Sequence, residues 1–183
     1  MTTRFQTSIA LTGGIIAAVT GSSAFATQYL SVPEAQQVMF PDATDFKPMP
    51  LALTTEQMHR VETISSLPAR SVQWRVSAAY HGETLLGFVV FDDVIGKYEL
   101  ISYAVALLPD ASVKQIEILT YRESHGFEIR SAAWRKQFVG KSAQAGMTIG
   151  EGVANISGAT LSATHVTDGV RRIAAVAQVA LKK

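Results

Sequence analysis

Leu100-Ile101-Ser102-Tyr103-Ala104-Val105-Ala106-Leu107-Leu108, then Pro109-Asp110-Ala111-Ser112, then Val113-Lys114-Gln115-Ile116-Glu117-Ile118-Leu119-Thr120-Tyr121, decides the fold. Two runs of strand length, rich in β-branched and aromatic residues, flank a short segment with Pro and Asp in turn positions, which is a hairpin signal. In the second run Lys114, Glu117 and Thr120 are mixed among apolar neighbours, so alternation is partial and the pairing register stays open. Upstream, residues 72–80 and 84–92 have the same texture. His81-Gly82-Glu83 separates them, and Gly96-Lys97 separates the second from Leu100. Four strands this close in sequence predict an antiparallel four-strand meander.

Downstream, Val166, Val170, Ile173, Ala174, Ala177 and Leu181 recur at helical spacing, while Asp168, Arg171, Arg172, Gln178 and Lys182 fall mostly elsewhere. This predicts an amphipathic C-terminal helix packed on the sheet, with Ser162 or Thr164 as its cap and Lys182-Lys183 at the negative end of its dipole. On the N-terminal side, Ser31-Val32-Pro33-Glu34 predicts a short helix over residues 33–40. Pro41, Pro48 and Pro50 mark an extended connection, and Thr54 or Thr55 caps a second helix with Met58, Val61 and Ile64 on one face, ending before Pro68. The expected class is α+β: a four-strand antiparallel meander with N-terminal helices and a C-terminal amphipathic helix on the sheet.

The first residues read as a targeting segment. Arg4 precedes an uncharged apolar run over residues 9–19, and Ala24-Phe25-Ala26 has the small-x-small form of a signal-peptidase site. Residues 1–26 are therefore expected to be an export signal, with Thr27 the first mature residue and a periplasmic location. The competing reading is an uncleaved anchor near the ~20 residues of a membrane span. Membrane association is expected only in that case.

Of the 16 Lys and Arg, only Arg4 lies in residues 1–26, which contain no acid, so the mature chain balances its 15 Asp and Glu at zero net charge. A neutral chain argues against nucleic acid as a partner, since that interaction rewards a basic excess. The chain has no cysteine, so disulfides, iron–sulfur clusters and thiol redox chemistry are excluded, and redox chemistry here belongs to a bound cofactor. His59, His81, His125 and His165 are scattered and no pair has the spacing of two ligands on one helix face, so no metal site is expected. Ser124 and Ser157 lack nucleophile-elbow neighbours, and Gly150-Glu151-Gly152 does not continue into a dinucleotide fingerprint. No catalytic residue is assigned.

Ser157-Gly158-Ala159-Thr160-Leu161-Ser162 stands directly before the last helix. A helix N-terminus offers unpaired N–H groups and a positive dipole end, and Gly158 and Ala159 bring little bulk, so the run suits a phosphate. Turn and cap roles are the ordinary use of such a run. A second notable segment is Tyr121-Arg122-Glu123-Ser124-His125-Gly126-Phe127-Glu128-Ile129, followed by Trp134-Arg135, Phe138 and Gly140-Lys141.

Together these two segments resemble the FMN-binding domain family, found in the covalently flavinylated subunits of the sodium-pumping NADH:quinone reductase and of Rnf-type complexes. The first run resembles the family's flavinylation motif, whose last threonine carries FMN through a phosphoester. The second resembles a Glu-Ser/Thr-x-Gly loop after a strand, followed by a short helix ending in a Phe-x-Gly-Lys turn. The resemblance implies FMN as cofactor, Thr160 as its attachment point, and Ser157, Gly158, Ala159 and Ser162 as neighbours of the phosphate. It implies Glu123, Ser124, His125, Gly126 and Phe127 as a second set of cofactor contacts. Phe127 or Trp134 offers a packing surface for the ring, or else a core aromatic; Glu123 contacts the cofactor or pairs with Arg122 or Arg130. The family pattern has an aspartate three residues before the motif; here that position is Ala154, with Asn155 beside it.

The expected organisation is residues 1–26 as signal, 27–70 as an N-terminal helical segment and 71–183 as an FMN-binding domain. The leading functional reading is an exported FMN-binding electron carrier, rather than a complete enzyme. By resemblance it is matured by an FAD:protein FMN transferase and works with a redox partner protein that leaves no mark on the sequence. Two other readings stay open: a small FMN-dependent reductase, and a periplasmic binding module without covalent flavin.

Overall fold

The computed structural model of the protein describes residues 27–182. The expected export signal or anchor at residues 1–26 lies outside them. The four expected strands are β4 (Gln73–His81), β5 (Thr84–Ile95), β6 (Leu100–Leu107) and β7 (Val113–Tyr121). They pair antiparallel in sequence order, as the short connections require.

The N-terminal segment adds short strands at both edges. β1 (Thr27–Gln28) pairs β7, whereas β2 (Asp45–Pro48) and β3 (Leu51–Ala52) pair β4. The latter two occupy the proline-marked connection, where a rigid extended backbone suits an edge strand. Between β1 and β2 in the chain lies α1 (Val32–Met39), capped by Ser31 with Glu34 completing a capping box, and between β3 and β4 lies α2 (Thr55–Ser65), capped in the same way by Thr54 and Gln57. After the meander come a 3-10 turn (Phe127–Arg130), α3 (Ala132–Lys136), a small pair β8 (Thr148–Ile149) and β9 (Gly152–Val153), and α4 (Thr160–Ala180).

The sheet is covered on both faces. Val90, Val105 and Ile116 stand side by side across β5, β6 and β7 and are buried in one core with Val166, Val170, Ile173 and Ala177 of α4 and Val61 of α2. On the reverse face Val89, Ala104, Ala106 and Leu119 pack with Ala35, Met39 and Phe40 at the end of α1. This double burial explains the unbroken apolar runs at 88–91 and 104–107.

The irregular pattern of β7 also has a physical origin. Its register shifts opposite Ser102/Tyr103 and opposite Ala106/Leu107, leaving Leu119 and Lys114 as extra residues. Those two bulges bring Val113, Ile116, Ile118 and Tyr121 into one core although their spacing is not even, and turn Leu119 toward the other. None of the described helices is long and apolar enough to cross a membrane.

Candidate functional site

The C-terminal helix begins earlier than its expected caps. α4 starts at Thr160, and its N-cap is Ala159, which supplies no side-chain hydrogen bond. Ser162 and Thr164 therefore lie inside the helix rather than capping it. The first N–H to reach back is that of Ala163, which donates to the Ala159 carbonyl at 3.0 Å. A 21-residue helix thus opens with no capping side chain over Thr160, Leu161 and Ser162.

That helix start forms one wall of a cleft of about 520 Å3, lined by Gly158 to Ser162, by Glu123, Ser124 and His125, and by Lys97 and Tyr98 from the β5–β6 turn. The volume falls in the range of roughly 300–1,000 Å3 usual for small-molecule sites. Glu123 to His125 and Gly158 to Ser162, from the two segments singled out in the sequence, meet here although more than thirty residues separate them. Gly126 is the contact point: with φ at 90°, a Cβ on it would lie 2.2 Å from the Ala159 Cβ and 2.6 Å from the Tyr121 hydroxyl. Only glycine satisfies both that backbone and that approach.

Beneath the cleft, the Tyr121 hydroxyl donates to the His125 carbonyl and lies 3.5 Å from the buried Ser162 Oγ, which ties β7, the following loop and α4 together. Burial pushes this phenol above its ordinary pKa; Ser162 opposes the shift, and the charges of Glu123 and Glu128 add to it. Ser124 and His125 are exposed, with Ser124 Oγ 2.9 Å from His125 Nδ1. Ser157, Gly158 and Thr160 are exposed and Ala159 is buried. Thr160 Oγ1 accepts a hydrogen bond from Asn155 Nδ2 at 3.1 Å.

Glu123 pairs with neither Arg122 nor Arg130. Its Oε1 instead accepts the backbone N–H groups of Tyr98 at 2.6 Å and Glu99 at 3.0 Å. Burial raises the pKa of this carboxyl, but the backbone hydrogen bonds of Glu99, Tyr98 and Lys97, together with the Lys97 charge, outweigh it and hold the group below its ordinary value. Trp134 is a core residue, 5% exposed, with Nε1 donating to the Ala154 carbonyl at 2.8 Å and its ring edge-on to Phe138. Phe127 is 53% exposed and edge-on to Tyr121, outside the lining of the cleft.

Lys97, Tyr98 and Asn155 were not expected here. Gly96-Lys97 reads in sequence as a strand separator and nothing more. The only local signal was a cation and an aromatic side by side in a turn, which gains meaning once the turn is known to face the helix start.

The residues fit the phosphate and ring of FMN. Gly158, with nothing within 4 Å of where a Cβ would stand, leaves the approach to the helix start open, Lys97 adds a cation, and the Glu123 carboxylate is engaged by backbone N–H groups.

Residues 96–175 match the family model of the FMN-binding domain, a span running from the β5–β6 turn into α4. Among solved structures, the chain is similar to the crystal structure of Shewanella oneidensis NqrC, with 16% identity and a TM-score of 0.50 over 74% of this chain and 80% of that one. At that identity the likeness is one of fold. No curated protein matches the chain. The family match covers every element that lines the cleft; the chain carries an FMN-binding domain, and its cofactor is FMN.

Proposed function

We propose that FMN is joined through its phosphate to Thr160 Oγ1 and that the protein serves as an exported electron carrier. The observation that carries this reading is the placement of Thr160: an exposed hydroxyl on the first residue of a long helix with no side-chain cap, facing a cleft. The phosphate lies against the N–H groups at the helix start, where the dipole favours its charge. Gly158 and Ala159 keep bulk away from it.

Asn155 donates to Thr160 Oγ1, so one lone pair is engaged and the hydroxyl hydrogen points elsewhere. An amide is no base, so the removal of that hydrogen falls to an FAD:protein FMN transferase and its metal. In that step the Thr160 Oγ1–P bond forms while the pyrophosphate bond of FAD breaks; AMP leaves, and the hydroxyl proton passes to the transferase. Once bound, FMN supplies reversible electron uptake, which a cysteine-free chain does not provide by itself. Residues 1–26 direct export, and a redox protein outside the cytoplasm exchanges electrons at the open cleft.

Co-expression with the transferase tests the reading. The denatured protein is expected to keep flavin fluorescence and an FMN mass adduct, to lose both in Thr160→Ala, and to begin at Thr27 when exported. An adduct that survives Thr160→Ala places the bond elsewhere. Flavin that leaves on denaturation retains the cofactor and removes the phosphoester.

A further inference from the structure

The aromatic that lines the cleft is Tyr98, 76% exposed at the tip of the β5–β6 turn, whereas Trp134 is engaged in the core and Phe127 lies off the cleft. The Lys97 ammonium stands 4.8 Å from the centre of the Tyr98 ring. Core packing accounts for neither side chain, since both project from a turn whose backbone is held from below. We infer that Tyr98 is the packing face for the isoalloxazine of FMN, that Lys97 is the cation raising its reduction potential, and that Glu123 is the positioning residue holding both. This rests on the reading of the cleft as the FMN site.

The positioning is direct. Glu123 Oε1 gathers the N–H groups of Tyr98 and Glu99, a carboxylate seated in a backbone nest. Gly96 permits the approach: a Cβ there would lie 2.6 Å from Glu123 Oε1 and 3.0 Å from Ser162 Oγ. The turn is thereby pressed between the loop after β7 and the start of α4, and its side chains are displayed into the cleft. With the Tyr98 and Glu99 N–H groups turned inward, the side chains of Lys97 and Tyr98 are left to meet a ligand.

The electrostatic sign separates this role from a direct one. Reduced flavin carries more negative charge than oxidised flavin, so a nearby cation raises the potential and a nearby anion lowers it. Removing Glu123 therefore raises the potential if its charge acts on the ring. It lowers the potential if Glu123 acts by holding Lys97.

The full chain, flavinylated and verified by mass, is compared with Lys97→Met, Lys97→Arg, Tyr98→Leu and Glu123→Ala by potentiometric titration and flavin fluorescence. Lys97→Met is expected to shift the potential negative and Lys97→Arg to restore it. Tyr98→Leu is expected to raise flavin fluorescence several-fold, because an electron-rich ring packed on flavin quenches it. Glu123→Ala is expected to shift the potential negative and, in flavin-free protein, to speed amide exchange at residues 97–99. A positive shift in Glu123→Ala overturns the positioning role. Unchanged potential and fluorescence in Lys97→Met and Tyr98→Leu, both surface variants, overturn the ring contact even where Glu123→Ala does not fold. Wild-type protein that takes up no flavin overturns the reading of the cleft itself, a result distinct from a flavin that ignores these residues.

Discussion

Asn155 Nδ2 donates to Thr160 Oγ1 across 3.1 Å, five residues apart on either side of the turn into α4. The turn that carries Asn155 is itself fixed from the core. The Ala154 carbonyl accepts from Trp134 Nε1 and the Ala154 N–H donates to Gln137 Oε1, both at 2.8 Å. Where the family pattern has an aspartate, this chain has an alanine whose backbone is pinned and whose neighbour orients the threonine. The hydroxyl is thus held by an amide, which orients it and brings no charge beside it.

Asn155→Ala is expected to slow flavin attachment by roughly three- to tenfold at limiting transferase, the scale of one hydrogen bond of about 0.5–1.5 kcal/mol. Both side chains are exposed, so stability is expected to stay within about 0.5 kcal/mol. Time-resolved mass spectrometry of the adduct and urea denaturation check the two halves. An unchanged attachment rate removes the orienting role.

Trp134 tests the support beneath that turn. Trp134→Phe keeps most of the buried ring and loses the donor to the exposed Ala154, at the cost of one hydrogen bond, about 0.5–1.5 kcal/mol. Trp134→Ala adds a cavity and is expected to cost about 3–5 kcal/mol. Urea titration midpoints give both values. Slower flavin attachment in Trp134→Phe under conditions where the chain remains folded would place the effect at Asn155 and Thr160 rather than in global stability.

Gly126→Ala places a methyl group 2.2 Å from the Ala159 Cβ at a φ of 90°. The strain and overpacking together are expected to destabilise the protein by about 2–4 kcal/mol. The loop at residues 123–126 must also draw back from the helix start, so flavin uptake is expected to fall further than the loss of folded protein explains. Comparing flavin content per folded molecule with wild type distinguishes the two effects; equal content would show that the approach serves packing alone.

Glu123 carries a pH dependence of defined sign. Its carboxyl titrates lower in the folded chain than the ordinary value of 4.5, so the unfolded chain binds the proton more readily. The stabilisation is complete above pH 4.5 and is lost as the pH falls from there through the folded value. Glu123→Gln is expected to be less stable than wild type at neutral pH and to converge on it in acid. Thermal unfolding across that range measures the convergence, and parallel curves for the two proteins would refute it.

Sequence reading located the four meander strands, both N-terminal helices, the last helix and the two motif segments, because each rests on local periodicity or on a short run of special residues. It read Pro48 and Pro50 as marking an extended connection but not the strands β2 and β3, whose partners lie in β4. It left the register of β7 open, since bulges at Leu119 and Lys114 depend on what β6 and the two cores accept. The start of α4 was misplaced for a related reason. Ser162 has the chemistry of a cap, but burial against Tyr121 placed it inside the helix and left Ala159 at the cap. From local pattern alone, then, the two motif segments and a helix beginning close to Thr160 are legible. The packed fold adds that Gly126 meets Ala159, that Glu123 binds the β5–β6 turn instead of an arginine, and that Lys97 and Tyr98 face the cleft. Those are contacts between residues far apart in the chain, fixed by the closing of a sheet against a helix, and no local pattern encodes them.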